Sequence, residues 1–284
     1  MSSYDVKIVE CGNVIEIYKY STPIISGYKN KIVKEPREQT EQVKKENLQR
    51  SIKRSKRKIF ELVNTNYIEG KSSFLTITFK ENLTDYDLAF NYWKRFKQKV
   101  EYHYKIKLQY CGVVEFQQRG AIHFHICLFN VGYMEQEKLY NIWNSIVPGG
   151  INIQGIKDNQ CDNVGAYMTY YMNKDLENSF GKDEYKGKKR YFYSKGLKEP
   201  SVDKLDTSIG QDKYVYKKIL EMYEDNIVCE YKTRYERKET KIENITDMET
   251  GEIKKVINEN IQYEQELEYK QILLQKNKIY RNSI

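Results

Sequence analysis

Two of the three histidines of the chain lie one residue apart in the apolar segment GAIHFHICLFN, residues 120–130. Successive side chains of a β-strand point to opposite faces, so His123 and His125 are predicted to share one face while their apolar neighbours pack on the other. Two imidazoles placed in this way can bind one metal ion. A histidine on a strand is more often a buried or edge residue, so a metal site needs support from other residues.

An oxygen ligand is the first requirement of such a site. Two imidazoles rarely suffice for a hard divalent cation, which prefers carboxylate and carbonyl oxygens. Glu115 and Gln117 lie at the end of the preceding predicted strand and share a face. Glu115 carries a charge and is therefore the better candidate, with Gln117 as the alternative.

A tyrosine-rich helix is predicted in NVGAYMTYYMNKDL, residues 163–176. Its apolar residues form one stripe at helical spacing, namely Val164, Met168, Met172 and Leu176. A second stripe contains Tyr167, Tyr170, Tyr171 and Lys174. Because the helix already has an apolar face to bury, the tyrosines are predicted to face a groove. A phenol with a pKa of about 10 needs help to act as a nucleophile, and Lys174 could supply it or bind a phosphate.

The elements around these residues predict an α+β fold. Three β-like segments and one helical segment precede the second predicted helix, and a further strand follows it, at residues 74–79, 83–100, 107–116, 121–130, 134–147 and 151–156. This order of strand, helix, strand, strand, helix and strand is typical of a split βαβ arrangement, an antiparallel sheet with helices on one face. In the first helix Thr84 is the predicted N-cap, and the predicted buried residues are Leu88, Trp93, Phe96 and Val100.

The flanking regions suggest four parts. Residues 1–40 form a strand-like extension, 41–73 a basic helix, 74–200 the core, and 201–284 an extension that completes the sheet or contacts DNA. A hairpin turn is predicted at 249–252. Between residues 44 and 58 the helix carries eight cations against Glu46 alone. It is either a solvated helix face or, as we prefer, a surface for phosphates, with Arg50, Lys53, Arg54 and Arg57 as candidate contacts.

Composition limits the classes of protein. The net charge of +8 favours an anionic partner. The five cysteines are odd in number and include no C-x-x-C pair, and no signal peptide is evident, so reduced thiols in the cytoplasm are expected. No apolar run approaches the roughly 18 residues of a membrane helix, which predicts a protein without a membrane partner. The segment GKDEYKGKKR, residues 181–190, lacks the spacing of a nucleotide-binding P-loop.

The segments FLTITF, HFH and YMTYYMNK, in this order, resemble the three motifs of the HUH endonuclease superfamily, specifically the rolling-circle replication initiators of plasmids and single-stranded DNA phages. The surrounding segments EFQQRGAIHFH and RYFYSKGLKEP are similar to bacterial plasmid and phage members. The similarity spans roughly residues 45–200. H-x-H or Y-x-x-K alone would be weak, and the specificity comes from their order and spacing.

The resemblance implies that His123 and His125 bind Mg²⁺ or Mn²⁺, and that Tyr171 and Lys174 form the Y-x-x-K nucleophile motif. It implies that Tyr167 corresponds to the additional tyrosine of the two-tyrosine members, although Tyr170 stands where many of these carry a second lysine.

The implied reaction is nicking and religation of single-stranded origin DNA through a 5′-phosphotyrosine intermediate. The implied partners are origin DNA, folded as a stem-loop, and the polymerase and helicase of a bacterial host. Arg119 and Lys195, which lie in the two similar surrounding segments, join the basic helix as expected DNA contacts.

Other classes are possible. Conjugative relaxases and small transposases use related parts, but relaxases commonly carry three histidines with an N-terminal tyrosine, and the transposases lack this Y-x-x-K context. A non-catalytic module could also bind nucleic acid on an RRM-like sheet, with tyrosines that stack on bases. A covalent protein–DNA adduct separates the enzyme from the binding module.

Overall fold

The structure is a computed structural model, and it describes residues 2–26, 40–117, 119–156, 164–167, 169, 188–246 and 253–274. The chain divides into two compact units. Unit 1 comprises Met1–Glu10, Ile15–Ile32 and Val202–Ile284, and unit 2 comprises Cys11–Val14 and Val33–Ser201. Each unit contains a five-stranded sheet, and with its helices the chain has the predicted α+β fold.

The strands and helices follow one another in both units. In chain order they are β1 Ser2–Cys11, β2 Val14–Ser26, α1 Glu41–Asn66, β3 Ser73–Phe79, α2 Tyr86–Tyr104, β4 Tyr110–Phe116, β5 Ile122–Leu128, α3 Gln136–Asn144, β6 Gly149–Gly155, β7 Tyr191–Tyr193, β8 Ser201–Leu205, α4 Gly210–Met222, β9 Ile227–Thr246 and β10 Ile253–Leu273. A helical turn at residues 164–167 lies between β6 and β7, and a 3₁₀ turn follows α4.

The sheet of unit 2 has the strand order β6-β3-β5-β4-β7. Its neighbouring strands are antiparallel, and β3 and β5 occupy the middle. This is the order that the split βαβ pattern predicts, with β7 added at one edge. The N-cap of α2 is Asp85 and not Thr84, because the Asp85 carboxylate accepts from the backbone N–H of Leu88 at 3.0 Å.

Helices α2 and α3 cover one face of this sheet. Trp93, Phe96 and Val100 are buried as predicted, against Phe124 and other apolar residues of the inner strands. Leu88 is 37% exposed, so its predicted burial is wrong: it lies in the first turn of α2, beyond the tight core. The core therefore uses the later turns of this helix.

The opposite face of the sheet is also partly covered, which differs from the predicted helices on one face. Ile59 and Val63 of α1 pack with Val113, Cys127 and Val164 in a second apolar cluster. The first half of α1 is mainly exposed, whereas its last two turns are buried. The basic helix is thus anchored to the sheet by its C-terminal end.

The close approach of α1 to the helical turn depends on Gly165. The Asn64 side-chain oxygen accepts from the Gly165 backbone N–H at 2.8 Å, and Asn64 is only 3% exposed. A Cβ added at Gly165 would lie 2.7 Å from the Phe60 carbonyl oxygen and 2.6 Å from the Asn64 amide nitrogen. A residue with a side chain would therefore push the turn away from α1.

Replacement of Gly165 by alanine is expected to destabilise unit 2 by about 1–3 kcal/mol, since backbone atoms must shift to accept the methyl group. Both tryptophans of the chain, Trp93 and Trp143, lie in the core of unit 2, so urea unfolding followed by tryptophan fluorescence reports on this unit. Gly132→Ala is the matched control because nothing lies within 4 Å of its added Cβ. Equal stability of the two variants would show that the turn tolerates displacement.

The sheet of unit 1 has the order β8-β1-β2-β10-β9. Both ends of the chain, expected as separate extensions, contribute strands to it. Strands β9 and β10 form a long antiparallel hairpin, and the residues proposed for its turn, 249–252, lie outside the described residues. One face of the hairpin carries the ion pairs Glu230–Lys270, Lys232–Glu268 and Arg234–Glu266, and on the other the Tyr231 and Tyr269 rings stack.

Two sequence expectations concern thiols and membranes. Cys11, Cys111, Cys127 and Cys229 are free, and burial raises the pKa of Cys111 to about 12, so this thiol stays protonated. Cys161 lies outside the described residues. Within the described part of the chain, every helix is too short or too polar to cross a bilayer.

Candidate functional site

The cross-strand register brings the two histidines and Glu115 together. Glu115 of β4 is paired with His123 of β5, and Val113 is paired with His125. The Glu115 Oε2 atom lies 2.6 Å from His125 Nε2 and 4.0 Å from His123 Nδ1. The apolar residues Ile122, Phe124 and Ile126 are fully buried on the opposite face, as the alternation predicted. One carboxylate therefore lies between two imidazoles on one face of the sheet.

The site is partly shielded from solvent. The side chains of His123, His125 and Glu115 are 13%, 7% and 19% exposed. Burial lowers the pKa of His123, although the Glu115 carboxylate opposes this effect, and His125 and Arg119 add to it. A lowered pKa keeps this imidazole neutral at neutral pH, and the neutral ring is the form that binds metals.

Thr76 of β3 fixes the orientation of His125. It is paired with His125 in the sheet, and its hydroxyl lies 3.3 Å from His125 Nδ1. A hydroxyl can donate or accept, so this contact suits both neutral tautomers of the ring. When Nε2–H donates to Glu115, Nδ1 accepts from Thr76. When Nε2 binds a cation, Nδ1–H donates to Thr76 instead.

Replacement of Thr76 by valine is expected to weaken the binding of Mn²⁺ by about 10–100-fold, since loss of a hydrogen bond behind a histidine ligand typically has this effect. Valine keeps the shape of the side chain and removes the hydroxyl. Calorimetric titration with Mn²⁺ measures the change without any DNA. The control is Thr78→Val on the same face of β3, because the Thr78 hydroxyl contacts Gly150 and not a histidine. Similar losses in both variants would contradict a specific role for Thr76.

Tyr167 lies over the same region of the sheet. Its ring meets the Phe74 ring edge-on at a centroid distance of 5.4 Å, and the Phe74 ring stacks on the His125 ring at 5.9 Å. Tyr167 is 43% exposed, whereas Val164 in the same turn is buried, as the two helical stripes predicted. The start of the tyrosine-rich segment is therefore next to the histidine face, separated from His125 by one aromatic ring.

The remaining predicted site residues differ in their surroundings. Tyr171 and Lys174 lie outside the described residues. Gln117 contacts the other histidine, with its Nε2 atom 3.3 Å from His123 Nδ1. Arg119 is exposed in the hairpin turn between β4 and β5, next to Gly120, whose φ of 83° favours glycine. Lys195 is exposed in the turn after β7.

The four predicted DNA contacts of α1 do not form one uniform surface. Lys53 and Arg54 are exposed, and Arg50 is exposed but pairs with Glu46 at 3.3 Å. Arg57 is half-buried, with its Nε atom 2.6 Å from Glu61. The N-terminal half of α1 is therefore more accessible to a phosphate backbone than the turn that contains Arg57.

Three residues near the site were missed in the sequence analysis. They are Thr76, which contacts His125, Phe74, which separates His125 from Tyr167, and Asn64, which binds the backbone of the helical turn. Phe74 and Thr76 alternate with buried Leu75 and Ile77, and this pattern already placed them on one face. No pattern in α1 distinguished Asn64 from an ordinary polar helix residue.

The donor set has the chemistry of a divalent cation site. Two atoms that each lie about 2.1 Å from one cation are at most about 4.2 Å apart. The 2.6 Å and 4.0 Å distances from Glu115 Oε2 to the two imidazoles meet this limit. Among the described residues, however, no three His, Cys, Asp or Glu side chains already enclose a cation. The carboxylate would have to leave its hydrogen bond with His125 and shift by a few tenths of an ångström.

The fold and site define an α+β domain with a histidine and carboxylate cluster on an antiparallel sheet. Residues 72–176 of this domain match the family model described as Replication-associated protein ORF2. The match runs from the start of β3 into the tyrosine-rich segment and covers less than half of the chain. This segment is therefore similar to replication-associated proteins. No curated protein and no solved structure matches the chain.

Proposed function

We propose that this protein initiates rolling-circle DNA replication by nicking and religating a single strand at an origin. One observation supports the proposal most directly: the histidine and carboxylate cluster and the first turn of the tyrosine-rich segment lie on the same side of one sheet. The family match to replication-associated proteins supports the same assignment. A sheet used only for binding would not require two imidazoles and a carboxylate at this position.

The proposed nucleophile is the phenol of Tyr171. Its oxygen attacks a backbone phosphorus, the bond from this phosphorus to the 3′ oxygen of the preceding nucleotide breaks, and the 5′ phosphate becomes bound to tyrosine. The phenol loses its proton, and the departing oxygen gains one to become a 3′ hydroxyl that a polymerase can extend. Because one phosphoester replaces another, the reverse attack reseals the strand without a nucleotide.

His123, His125 and Glu115 would hold Mg²⁺ or Mn²⁺, with Gln117 as the alternative oxygen donor. The bound cation supplies electrostatic stabilisation of the charge on the phosphate oxygens. Thr76 keeps the His125 ring in position, and the buried environment keeps His123 neutral and able to donate a lone pair. Lys174 is proposed to stabilise the phenolate of Tyr171.

The proposed partners are the single-stranded origin, presented as a stem-loop, and the polymerase and helicase of a bacterial host. The exposed cations Lys53, Arg54, Arg119 and Lys195, together with Arg50, are proposed to contact the DNA backbone. Phosphate contacts of this kind position the strand but do not read its sequence.

A cleavage assay tests the proposal. The full chain is incubated with single-stranded DNA from the replicon that encodes it, with Mn²⁺ or Mg²⁺, and then denatured in SDS. The expected product is a covalent protein–DNA adduct and a fragment with a free 3′ hydroxyl, and EDTA should prevent both. A shift in a native gel without any adduct under either cation would support a binding module instead.

A further inference from the structure

The helical face of unit 2 contains a groove of about 660 Å³ between α2 and α3. Its walls include three basic side chains at intervals of four residues along α2, Arg95, Lys99 and His103. None of the residues described in its lining is acidic. Polar side chains of α3 and the following turn, Asn141 and Ser145, complete the wall.

The groove lies on the outer surface of the domain. Trp93, Phe96 and Val100 of α2 point into the core, whereas Arg95 and Lys99 are exposed. Helices α2 and α3 cover the face of the sheet opposite the histidines. A DNA strand at the histidine cluster therefore cannot occupy the groove with the same nucleotides.

The basic row is arranged across both helices. Lys99 Nζ donates to the Ser145 hydroxyl at 2.9 Å, and this contact holds the lysine over the groove. From Arg95 to His103 the row extends along about 12 Å of helix axis. This length meets several consecutive phosphates, since DNA rises about 3.4 Å per nucleotide of one strand.

We propose that this groove is a second nucleic-acid site, which binds the phosphate backbone of double-stranded DNA. Charge complementarity favours a polyanion. Proteins that bind single strands normally offer several aromatic rings on which bases stack, but here Tyr102 is the one aromatic residue in the described lining. The groove therefore favours backbone contacts with a duplex. It is separate from the proposed nicking chemistry and does not depend on it.

The test compares the full chain with the variant Arg95→Gln/Lys99→Gln by fluorescence anisotropy of a labelled duplex of arbitrary sequence at several salt concentrations. Each lost phosphate contact lowers the slope of log affinity against log salt by about 0.9, so the double variant should lower it by roughly 2 and weaken duplex binding severalfold. The control variant Lys71→Gln/Lys107→Gln removes two exposed cations outside the groove and should leave the slope within error of the parent.

A labelled single strand of the same sequence is measured in parallel with each variant, and its slope should change by less than the duplex slope. The proposal is overturned if the duplex slope is unchanged, if the control pair lowers it equally, or if the effect is confined to the single strand. Because binding is measured without cleavage, this result is independent of the adduct assay.

Discussion

Replacement of Tyr171 by phenylalanine should abolish the covalent protein–DNA adduct, with a fall of roughly 10³-fold or more. The variant loses one oxygen atom, the proposed nucleophile, and keeps the aromatic ring. The expected loss is large because neither the cation nor the basic residues can replace the attacking atom. The measurement is the fraction of labelled single-stranded DNA bound to protein after denaturation in SDS.

Tyr167→Phe is the matched control for this experiment. Phenylalanine can keep the edge-on ring contact with Phe74, so the turn should retain its position. The first cut should therefore persist, while turnover in a complete replication cycle decreases if the two phenols cut alternately. If Tyr167→Phe abolishes the first cut and Tyr171→Phe does not, the two roles are reversed.

Replacement of His123 by alanine should lower adduct formation by at least about 100-fold at ordinary concentrations of Mn²⁺. It removes one of the two proposed imidazole ligands and leaves His125, Glu115 and the tyrosines unchanged. Excess Mn²⁺ should restore part of the activity, because the remaining donors still bind the cation weakly. The adduct yield across a series of Mn²⁺ concentrations measures both effects.

Two further measurements distinguish loss of a ligand from loss of the fold. Unfolding followed by tryptophan fluorescence should show that unit 2 of the His123→Ala variant remains folded. Glu115→Gln and Gln117→Ala compare the two candidate oxygen donors, and Glu115→Gln should reduce Mn²⁺ affinity more. A full-strength adduct from His123→Ala without added metal would exclude the proposed role of this histidine.

The local part of the fold could be predicted because its periodicity is strong. Alternation in FLTITF and in the histidine strand gave the correct faces, and helical spacing identified Trp93, Phe96 and Val100 as buried. The errors at Thr84 and Leu88 lie at the start of α2, where one residue decides the cap and where packing is weakest. Helix boundaries depend on such local competition and are hard to assign from a pattern.

The parts that could not be predicted depend on contacts between distant segments. The pairing of β2 with β10 is not encoded in the periodicity of either strand. The packing of α1 on the histidine face depends on Asn64 and Gly165, two residues whose types alone are unremarkable. For the candidate site, the sequence supplied His123, His125 and Glu115, whereas Thr76 emerged only from the cross-strand register.

The division of unit 1 between the two ends of the chain affects how the protein folds during synthesis. Strands β1 and β2 leave the ribosome first, but their sheet neighbours β8 and β10 are made only after all of unit 2. Unit 2 consists of contiguous sequence apart from one short segment, so it can fold while β1 and β2 still lack these neighbours. Two early strands with unpaired edges invite association between nascent chains. We therefore expect the yield of soluble protein to improve at lower expression temperature or with chaperones that bind extended segments.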